Sequence, residues 1–399
     1  MQPLRILKVS DVFAPRVNGV STAIQTMSEA LRSLGHEVTV VAPNYPGAAS
    51  AEHVLRLPSL RVPFDAEDRL MLAWNLAPRL AGREFDIVHV HTPFVAHGLG
   101  LGFARRLGVP CVTTYHTYFE AYLHHYLPLL PRRATAFFAR RLARQQCNAC
   151  AAVIAPSSAM RDQLIAYGVE RPINVLPTGV PPAWFAAGDG AAFRRRLGID
   201  PRRPVLVYVG RIAHEKNIGF LLEVTAEVRR RFPDVLLLLA GEGPAEAALR
   251  RQVARSGLAA NVQWVGYLRD PQTLRDCYRA GDLFVFASTT ETQGLVLLEA
   301  MALGVPVVAA AMMGTRDVLR DGHGARVARL EVADFAGKVT ALLADPLARE
   351  RLARAAPAHA HQWSTAELTA RLIGLYRTVI EQPATADRPA ALSGEGSSP

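Results

Sequence analysis

The sequence predicts an α/β protein made of two doubly wound parallel-sheet domains that face each other across a cleft. Strand-like and helix-like segments alternate along most of the chain, which is typical of parallel sheets covered by helices. The chain has 399 residues, too many for one ordinary core and enough for two domains. Clustered Pro and Gly at 173–185 interrupt the alternation and predict the link between the domains.

The first series of segments contains five short apolar runs that predict buried strands, at 4–10, 37–43, 85–92, 110–117 and 151–157. Three helices are predicted between them, each stopped by a glycine: 21–34 before Gly35, 94–107 before Gly108 and 157–167 before Gly168. Ser157 is the expected N-cap of the third helix.

The second series predicts a sheet of similar size, with strands at 204–210, 234–241, 261–268, 282–288 and 304–310, each followed by a helix. The last 18 residues are polar and rich in Pro, Gly and Ser. We therefore expect a first domain at 1–180, a second domain at 181–364, a helix at 365–381 that packs back on the first domain, and a disordered tail at 382–399.

Composition excludes several classes of protein. Half of the residues are hydrophobic and a fifth are charged, as in soluble globular proteins. No apolar run is long enough to span a bilayer, and the N-terminus lacks the features of a signal peptide, so we expect a cytoplasmic protein. Among the four cysteines only Cys147 and Cys150 form a CxxC pair, so we expect reduced thiols and no metal site.

Two carboxylates, Glu291 and Glu299, lie eight positions apart after the predicted strand at 282–288. Glu291 falls at the carboxyl end of that strand, where open α/β sheets bind ligands, and Glu299 falls on the following helix. Carboxylates accept hydrogen bonds from hydroxyl groups, which favours a sugar or a ribose as the ligand. The alternative for Glu299 is a solvated helix face, but its neighbours in the sequence are mostly apolar.

Two cations, Arg211 and Lys216, follow the predicted strand at 204–210 in the string GRIAHEKN. A loop at the carboxyl end of a strand that presents two cations suits a diphosphate. The chain contains no Asp-x-Asp sequence, so we expect no metal cofactor at this site. Either cation alone is also consistent with an ordinary surface residue.

The GRxxxEKN string, with the E-x7-E motif about 80 residues later, resembles retaining glycosyltransferases of family 4, which have a GT-B fold of two Rossmann-like domains. The resemblance runs from Asp11 to about Tyr376. It implies that Glu291 binds donor-sugar hydroxyls, that Glu299 binds the ribose, and that the two cations hold the diphosphate of the leaving nucleotide. A histidine in the Tyr-His-Thr context of His116 contacts the donor sugar in that family.

Further residues complete the expected site. Gly19 opens a helix after the first strand, and its backbone is expected to approach the phosphates, although a simple turn remains an alternative. Asp11 is a candidate for orienting the acceptor in the first domain. The remaining donor-site candidates in the second domain are Gly243, Leu268, Gln293, Gly294 and Leu295.

Three strings resemble most closely the family members that glycosylate diacylglycerol or related lipids: VSDVFAPRVNGVSTAI, TTYHTYFEAYLHHY and TETQGLVLLEAMALGVPVV. The resemblance implies transfer of a hexose from a UDP- or GDP-linked donor, with retention, to a hydroxyl of a membrane lipid. Three alternatives stay open: a GT-B sugar-nucleotide epimerase, a transferase with a soluble or polysaccharide acceptor, and a nucleotide-sugar-binding protein without turnover.

The net charge of +10 is concentrated in one segment. Residues 121–161 contain no Asp or Glu but include several cations interleaved with Phe and Leu, among them Arg132, Arg133, Arg140, Arg141 and Arg144. Such a helix suits an anionic membrane surface, which here is the inner face of the plasma membrane. The alternative is a surface helix that packs its Phe residues inward. Nucleic acid is not expected as a partner, because no binding motif accompanies the charge.

Overall fold

The computed structural model describes residues 2–16, 18–48, 51–62, 65–72, 76–116, 118, 120 and 131–382. These residues form two α/β domains, each built on a parallel sheet, so the predicted GT-B-like fold class is confirmed. Most of the tail at 382–399 lies outside the described residues. Within the described ranges, no helix combines the length and the apolarity that a membrane crossing requires.

Within its described residues the first domain contains nine strands, in chain order β1 (Arg5–Val9), β2 (Glu37–Pro43), β3 (Val54–Leu57), β4 (Ser59–Val62), β5 (Asp65–Met71), β6 (Ile87–Val90), β7 (Cys111–Thr114), β8 (Ala152–Ala155) and β9 (Ile173–Val175). Seven of them form a sheet in the order β3-β2-β1-β6-β7-β8-β9, with every pair parallel. The antiparallel pair β4–β5 stands apart from this sheet.

The second domain contains β10 (Val205–Val209), β11 (Leu236–Ala240), β12 (Val262–Gly266), β13 (Leu283–Phe286), β14 (Val307–Ala310) and β15 (Ala325–Ala328). They form a parallel sheet in the order β12-β11-β10-β13-β14-β15. Strands β10, β11 and β13 are buried along their whole length, which explains their continuous apolar sequences.

Helices cover both sheets. Those of the first domain are α1 (Gly19–Ser33), α2 (Leu76–Leu80), α3 (Val95–Leu107), α4 (Arg132–Asn148) and α5 (Ser158–Ala166). Those that follow are α6 (Gly190–Arg196), α7 (Ile218–Val228), α8 (Glu246–Arg255), α9 (Pro271–Arg279), α10 (Leu295–Ala302), α11 (Thr315–Val318), α12 (Val332–Ala344), α13 (Pro346–Ala360) and α14 (Thr365–Glu381). Short 3-10 turns lie at Pro182–Phe185, His214–Lys216, Ala259–Asn261 and His361–Trp363.

The final helix, α14, belongs spatially to the first domain. Its buried side chains Leu368, Leu372 and Tyr376 lie in the same apolar cluster as Ile6 and Ile24 of the first domain. A backbone ladder links the domains just before this helix, because the amide of Val180 donates to Trp363 and the amide of Thr365 donates to Val180. The chain therefore crosses between the domains twice.

The order of strands defines where a ligand should bind. In the first sheet the order reverses between β1 and β6, and in the second it reverses between β10 and β13. Ligands of open α/β sheets bind outside the carboxyl ends of the strands at such a reversal. The loops after β1, β6, β10 and β13 therefore border the expected site.

The predicted link at 173–185 was partly wrong. Residues Ile173–Val175 form β9 at the edge of the first sheet, where they pair with β8. The segment carries only three strand residues before clustered Pro and Gly, so its sequence pattern is too short to indicate a strand.

Candidate active site

Lys216 and Glu291 meet in space at the strand reversal of the second domain. Lys216 ends the 3-10 turn after β10, and Glu291 lies in the loop between β13 and α10. The Nζ atom of Lys216 is 2.5 Å from Oε1 of Glu291, and their side chains are 19% and 15% exposed. The structure therefore brings together a cation predicted for the diphosphate and a carboxylate predicted for the sugar.

The loop that carries Lys216 is held to the end of β13. Asn217 adopts a left-handed conformation with φ of 54°, and its side-chain amide donates to the carbonyl of Ala287 over 3.3 Å. The hydroxyl of Ser288 donates to the carbonyl of Glu215 over 3.3 Å. These two hydrogen bonds fix the loop after β10 relative to the loop after β13, although the loops are far apart in the sequence.

Arg211 lies at the start of the same loop with an exposed side chain. Its carbonyl accepts a hydrogen bond of 3.1 Å from the hydroxyl of Tyr208, a fully buried residue of β10. The backbone before it, at Gly210, has φ of 150°, which other residues rarely adopt. The loop is thus fixed through its backbone while the guanidinium remains accessible to a ligand.

Gly243 packs its backbone against the Arg211 loop. A Cβ atom at Gly243 would overlap the carbonyl oxygen of Ile212. The amide of Ile212 donates to Glu242 over 2.9 Å, and the amide of Ala245 donates back to Ile212 over 3.0 Å. This glycine is therefore required by close packing, a role that the sequence did not reveal beside the predicted donor contact.

Leu268 follows β12 and packs half-buried against the core of the second domain. The neighbouring Tyr267 is exposed. The carbonyl of Gly266 accepts a 2.8 Å hydrogen bond from the amide of Gly241, which holds this loop beside the one that carries Gly243. The donor-site candidate Leu268 therefore lies along the same edge of the sheet as the loop that carries Arg211.

Glu299 lies on α10, and the solvated-face alternative for it is wrong. The Tyr278 hydroxyl, on a fully buried side chain, donates to its Oε2 over 2.7 Å. Burial raises the pKa of Glu299 to about 7. Glu299 is half-buried, and its carboxyl group already accepts one hydrogen bond from Tyr278. Such a group suits a site that exchanges hydrogen bonds with a bound hydroxyl.

The donor-site candidates Gln293, Gly294 and Leu295 lie at the N-terminal end of α10. Gly294 has φ of 89°, and a Cβ atom there would lie 2.9 Å from a side-chain carbon of Thr315. Leu295 is the first helical residue, so its amide belongs to the unpaired first turn. Glycine is therefore needed to turn the chain into the helix beside the site.

Gln293 makes a contact between domains that the sequence did not predict. Its Oε1 accepts from the amide of Thr178 over 2.7 Å, and its Nε2 donates to the carbonyl of Thr178 over 2.8 Å. The hydroxyl of the adjacent Thr292 donates to the carbonyl of His116 over 3.1 Å. The loop with the sugar-binding candidate Glu291 is thus joined to two segments of the first domain.

His116, whose carbonyl accepts the hydrogen bond from Thr292, lies just after β7. Its Nε2 lies 3.0 Å from Nδ1 of His91, and the two rings are stacked with centroids 5.3 Å apart. Burial, with the nearby charge of Lys8, lowers the pKa of His116 to about 4, so the ring is neutral at physiological pH. A neutral imidazole here exchanges hydrogen bonds with hydroxyl groups without adding charge.

Gly19 begins α1, two residues before the predicted start. The earlier start follows from Asn18, whose Oδ1 accepts from the amide of Ser21 over 2.9 Å while the Ser21 hydroxyl accepts from the amide of Asn18 over 3.0 Å. No described atom lies within 4 Å of where a Cβ of Gly19 would be. Packing therefore does not require this glycine, in contrast to Gly243.

Asp11 stabilises the start of α3. Its Oδ1 accepts from the amide of Ala96 over 3.0 Å, and its Oδ2 accepts from the hydroxyl of Thr92 over 2.7 Å. Burial raises the pKa of this carboxyl group. These contacts give Asp11 a structural role, and its predicted contact with an acceptor stays a prediction.

The basic helix α4 buries one side and exposes the other. Every fourth residue is buried, namely Thr135, Ala139, Ala143 and Cys147. Phe137, Phe138 and Leu142 are 61%, 58% and 45% exposed, so the alternative in which the Phe residues pack inward is wrong. We call Arg133, Phe137, Phe138, Arg141 and Leu142 the α4 patch.

Among the predicted membrane cations whose side chains are described, Arg140 and Arg144 have carboxylate partners. Arg140 forms an ion pair with Glu120, and Arg144 lies 3.7 Å from Glu170. Both acids flank the acid-free stretch in the sequence, so the pattern did not reveal them. Arg133 and Arg141 are exposed, and the side chain of Arg132 lies outside the described part of the structure.

Family models match most of the chain. The model described as Glycosyltransferase Family 4 matches residues 17–184, and that described as Glycosyl transferases group 1 matches residues 189–359. The chain is 33% identical to alpha-monoglucosyldiacylglycerol synthase of Streptococcus pneumoniae over 317 residues, 77% of this chain and 71% of that enzyme. It is also 33% identical to D-inositol 3-phosphate glycosyltransferase of Rhodococcus jostii over 336 residues, 79% of this chain and 73% of that enzyme.

A solved structure has the same architecture. The Anabaena protein HepE in complex with UDP superposes with a TM-score of 0.74 at 21% identity, covering 94% of this chain and all of that one. The family matches confirm the predicted resemblance, including that to lipid-directed members, and favour a transferase over the epimerase alternative. The chain therefore belongs to glycosyltransferase family 4 and is a glycosyltransferase with a GT-B fold.

Proposed function

We propose that this enzyme transfers a hexose from a UDP- or GDP-linked donor to a hydroxyl of a membrane lipid, such as diacylglycerol or a glycolipid, with retention at the anomeric carbon. The single observation that carries the donor site is the contact between Lys216 and Glu291 at the strand reversal. A cation and a carboxylate that meet there suit a diphosphate next to a sugar.

The chemistry follows from the charges around the site. Arg211 and Lys216 would bind the diphosphate and stabilise its negative charge as the bond to the anomeric carbon breaks. Glu291 would accept hydrogen bonds from the sugar hydroxyls, and Glu299 would bind the ribose. The acceptor hydroxyl attacks from the face that the nucleotide leaves, and its proton passes to the departing phosphate oxygen.

Metal independence is part of this proposal. The two cations supply positive charge where other donor sites use a divalent metal ion. A chelator such as EDTA should therefore leave the rate unchanged, whereas loss of either cation should reduce it. Inhibition by EDTA that added magnesium reverses would contradict this assignment.

The α4 patch supports a lipid acceptor at a membrane. Three exposed apolar side chains lie beside two exposed arginines on a protein of net charge +10. This combination suits a bilayer with anionic lipids, in which apolar side chains insert and arginines contact phosphates. The similarity to alpha-monoglucosyldiacylglycerol synthase supports a lipid acceptor, and we propose that the enzyme lies peripherally on the inner face of the plasma membrane.

A second candidate acceptor is a soluble polyol phosphate. It is favoured by one observation, the equal identity of the chain to an enzyme named for D-inositol 3-phosphate. The two candidates differ in where the labelled sugar appears after extraction, since a lipid product enters the organic phase and a polyol phosphate stays in water.

The deciding experiment is a donor screen. UDP- and GDP-hexoses are incubated with the enzyme, with and without diacylglycerol vesicles, and both released nucleotide and labelled lipid are measured. We expect one donor to give lipid-dependent turnover that Glu291→Gln abolishes and that the control Lys338→Met retains. Lys338 lies on α12, where it pairs with Asp334. Conversion of the donor without any acceptor would support an epimerase instead.

A further inference from the structure

Three buried polar side chains, Lys8, His89 and Thr114, form a layer across neighbouring strands inside the first domain. Lys8 of β1 is paired in register with His89 of β6, and Thr114 ends the next strand, β7. All three are buried, and Lys8 is completely inaccessible to solvent. Polar groups at such depth normally have hydrogen-bond partners, so each one needs to be accounted for.

Most polar atoms of this layer have hydrogen-bond partners within the protein. His89 uses both ring nitrogens, with Nδ1 2.6 Å from the Tyr376 hydroxyl and Nε2 2.7 Å from the Thr114 hydroxyl. His91 uses only Nδ1, which contacts His116. Among the described residues, Nε2 of His91 and Nζ of Lys8 have no hydrogen-bond partner.

Both unpartnered atoms belong to residues that line one cavity. The cavity has a volume of about 30 Å³ and lies between β1, β6, α1, α14 and the link after β9. The polar side chains of its lining are Lys8, His89, His91, Thr114, His116 and Thr178. One water molecule needs about 10–15 Å³ of such space, so the cavity has room for a monatomic ion.

The charge of Lys8 has no counter-charge around this cavity. The titratable side chains that line it beside Lys8 are His89 and His91 on β6 and His116 after β7. Arg32 on α1 acts on Lys8 through its positive charge, and Tyr376 on α14 contacts His89. The neighbouring strand residue, Val40 on β2, is apolar. Within the described residues the lining of the cavity includes no carboxylate, and an uncompensated buried ammonium is costly.

We propose that Lys8 and His91 form a buried binding site for a small monatomic anion of the chloride class. The ammonium group supplies the charge, and Nε2–H of His91 supplies a second donor. Burial and the charge of Arg32 lower the pKa of Lys8 to about 7, so anion binding is coupled to protonation of this residue. The site should accordingly bind more tightly as the pH falls below neutrality.

Occupation of the site fixes a tautomer in the active centre. If Nε2 of His91 carries the proton for the anion, its Nδ1 must accept, and Nε2 of His116 must donate to it. His116 is then held with its proton on Nε2 and its Nδ1 free of a proton. The consequence for sugar binding rests on the proposed function, whereas the anion site itself does not.

The test compares anions without any substrate. Thermal unfolding is measured in sodium chloride and in sodium gluconate of equal ionic strength, at about pH 6 and about pH 8.5, because gluconate is a bulky organic anion and chloride is monatomic. We expect chloride to raise the midpoint by roughly 2–4 °C at the lower pH, and by less at the higher pH. The Lys8→Met variant, which replaces the stem by an apolar chain of similar length, should lose the chloride effect, and Lys338→Met should keep it.

A second measurement detects the ion directly. Chlorine-35 NMR lines should broaden in the presence of the parent protein and of Lys338→Met, but not in the presence of Lys8→Met. Equal chloride responses of the parent and of Lys8→Met in both measurements, or no response of the parent, would overturn the proposal. Since neither measurement uses a donor, its failure leaves the transferase assignment unaffected.

Discussion

The ammonium of Lys216 and the carboxylate of Glu291 form an ion pair of 2.5 Å across 75 positions of sequence. The contact arises because β10 and β13 are neighbours at the point where strand order reverses, so the loops after them converge. Each side chain holds the other in place in the cleft. A bound donor would contact both, one through its phosphates and the other through its sugar.

Replacing Lys216 should impair catalysis far more than folding. We expect Lys216→Met to lower kcat/KM by about 100–1000-fold, because it removes a charge that stabilises the leaving diphosphate. Steady-state turnover and urea unfolding of Lys216→Met and Lys338→Met would separate the two effects. Turnover at the parental rate would refute the phosphate assignment.

Two glycines of the site should respond to alanine in opposite ways. Gly243→Ala places a methyl group on the Ile212 carbonyl, and we expect it to lower the free energy of unfolding by about 1–3 kcal/mol. Gly19→Ala meets no described atom, so its stability should stay within about 0.5 kcal/mol of the parent while donor affinity falls. Calorimetry of unfolding and of binding to UDP and to GDP would measure both, and unchanged affinity of Gly19→Ala for the nucleotide that binds the parent would favour a simple turn.

Glu299 should make stability depend on pH in the acidic range. Its folded pKa of about 7 lies above that of an unfolded glutamate, so the native state binds the extra proton between about pH 4.5 and 7. The contribution of Glu299 to the free energy of unfolding is therefore complete below about pH 4.5. It is lost as the pH rises through 7, and the total loss is on the order of 1–3 kcal/mol. Urea unfolding of Glu299→Gln at several pH values should lack this slope, and the same slope in both proteins would contradict the assignment.

Gln293 should control how firmly the domains are joined at the cleft. Gln293→Glu keeps the acceptor for the Thr178 amide but replaces the donor to the Thr178 carbonyl by a negative oxygen. We expect a higher donor KM and faster amide hydrogen exchange near Thr178, with little change in the cores. Exchange in Gln293→Glu that matched the parent at residues 176–180 would show that the contact does not restrain the domains.

The α4 patch should act in two separable ways on vesicles. Phe137→Ser with Phe138→Ser should weaken binding to all vesicles, since it removes the inserted apolar groups. Arg133→Gln with Arg141→Gln should weaken binding to anionic vesicles alone, by about 1 kcal/mol for each arginine. Co-sedimentation measures both, and the matched control Arg140→Gln changes an arginine that already has a carboxylate partner. Equal losses in all three variants would argue against the patch.

Much of the fold was predictable because the central strands are buried on both faces. Strands such as β10 and β11 are continuous runs of apolar residues, and their positions were predicted to within a few residues. The strands that sequence analysis missed mostly lie at sheet edges: β3, β4, β5, β9 and β15. Edge strands carry charged residues such as Arg56 and Arg326, which hide the pattern.

The candidate site also has features that were predictable from the sequence and features that were not. The convergence of Lys216 and Glu291 was predictable, because loops at the carboxyl ends of neighbouring parallel strands must meet. The contacts of Gln293 with Thr178, and the anchoring of α3 by Asp11, depend on how distant segments pack. Their residue types are common in loops, so no local pattern distinguishes them.

The return of α14 to the first domain has a consequence for biosynthesis. Leu368, Leu372 and Tyr376 fill apolar space beside Ile6 and Ile24, yet the ribosome adds them more than 330 residues later. The N-terminal half emerging during translation therefore lacks part of its own interior until the final helix has been made. Nascent chains released at residue 180 should consequently expose apolar surface and require chaperones, and supplying α14 in trans as a peptide should relieve that requirement.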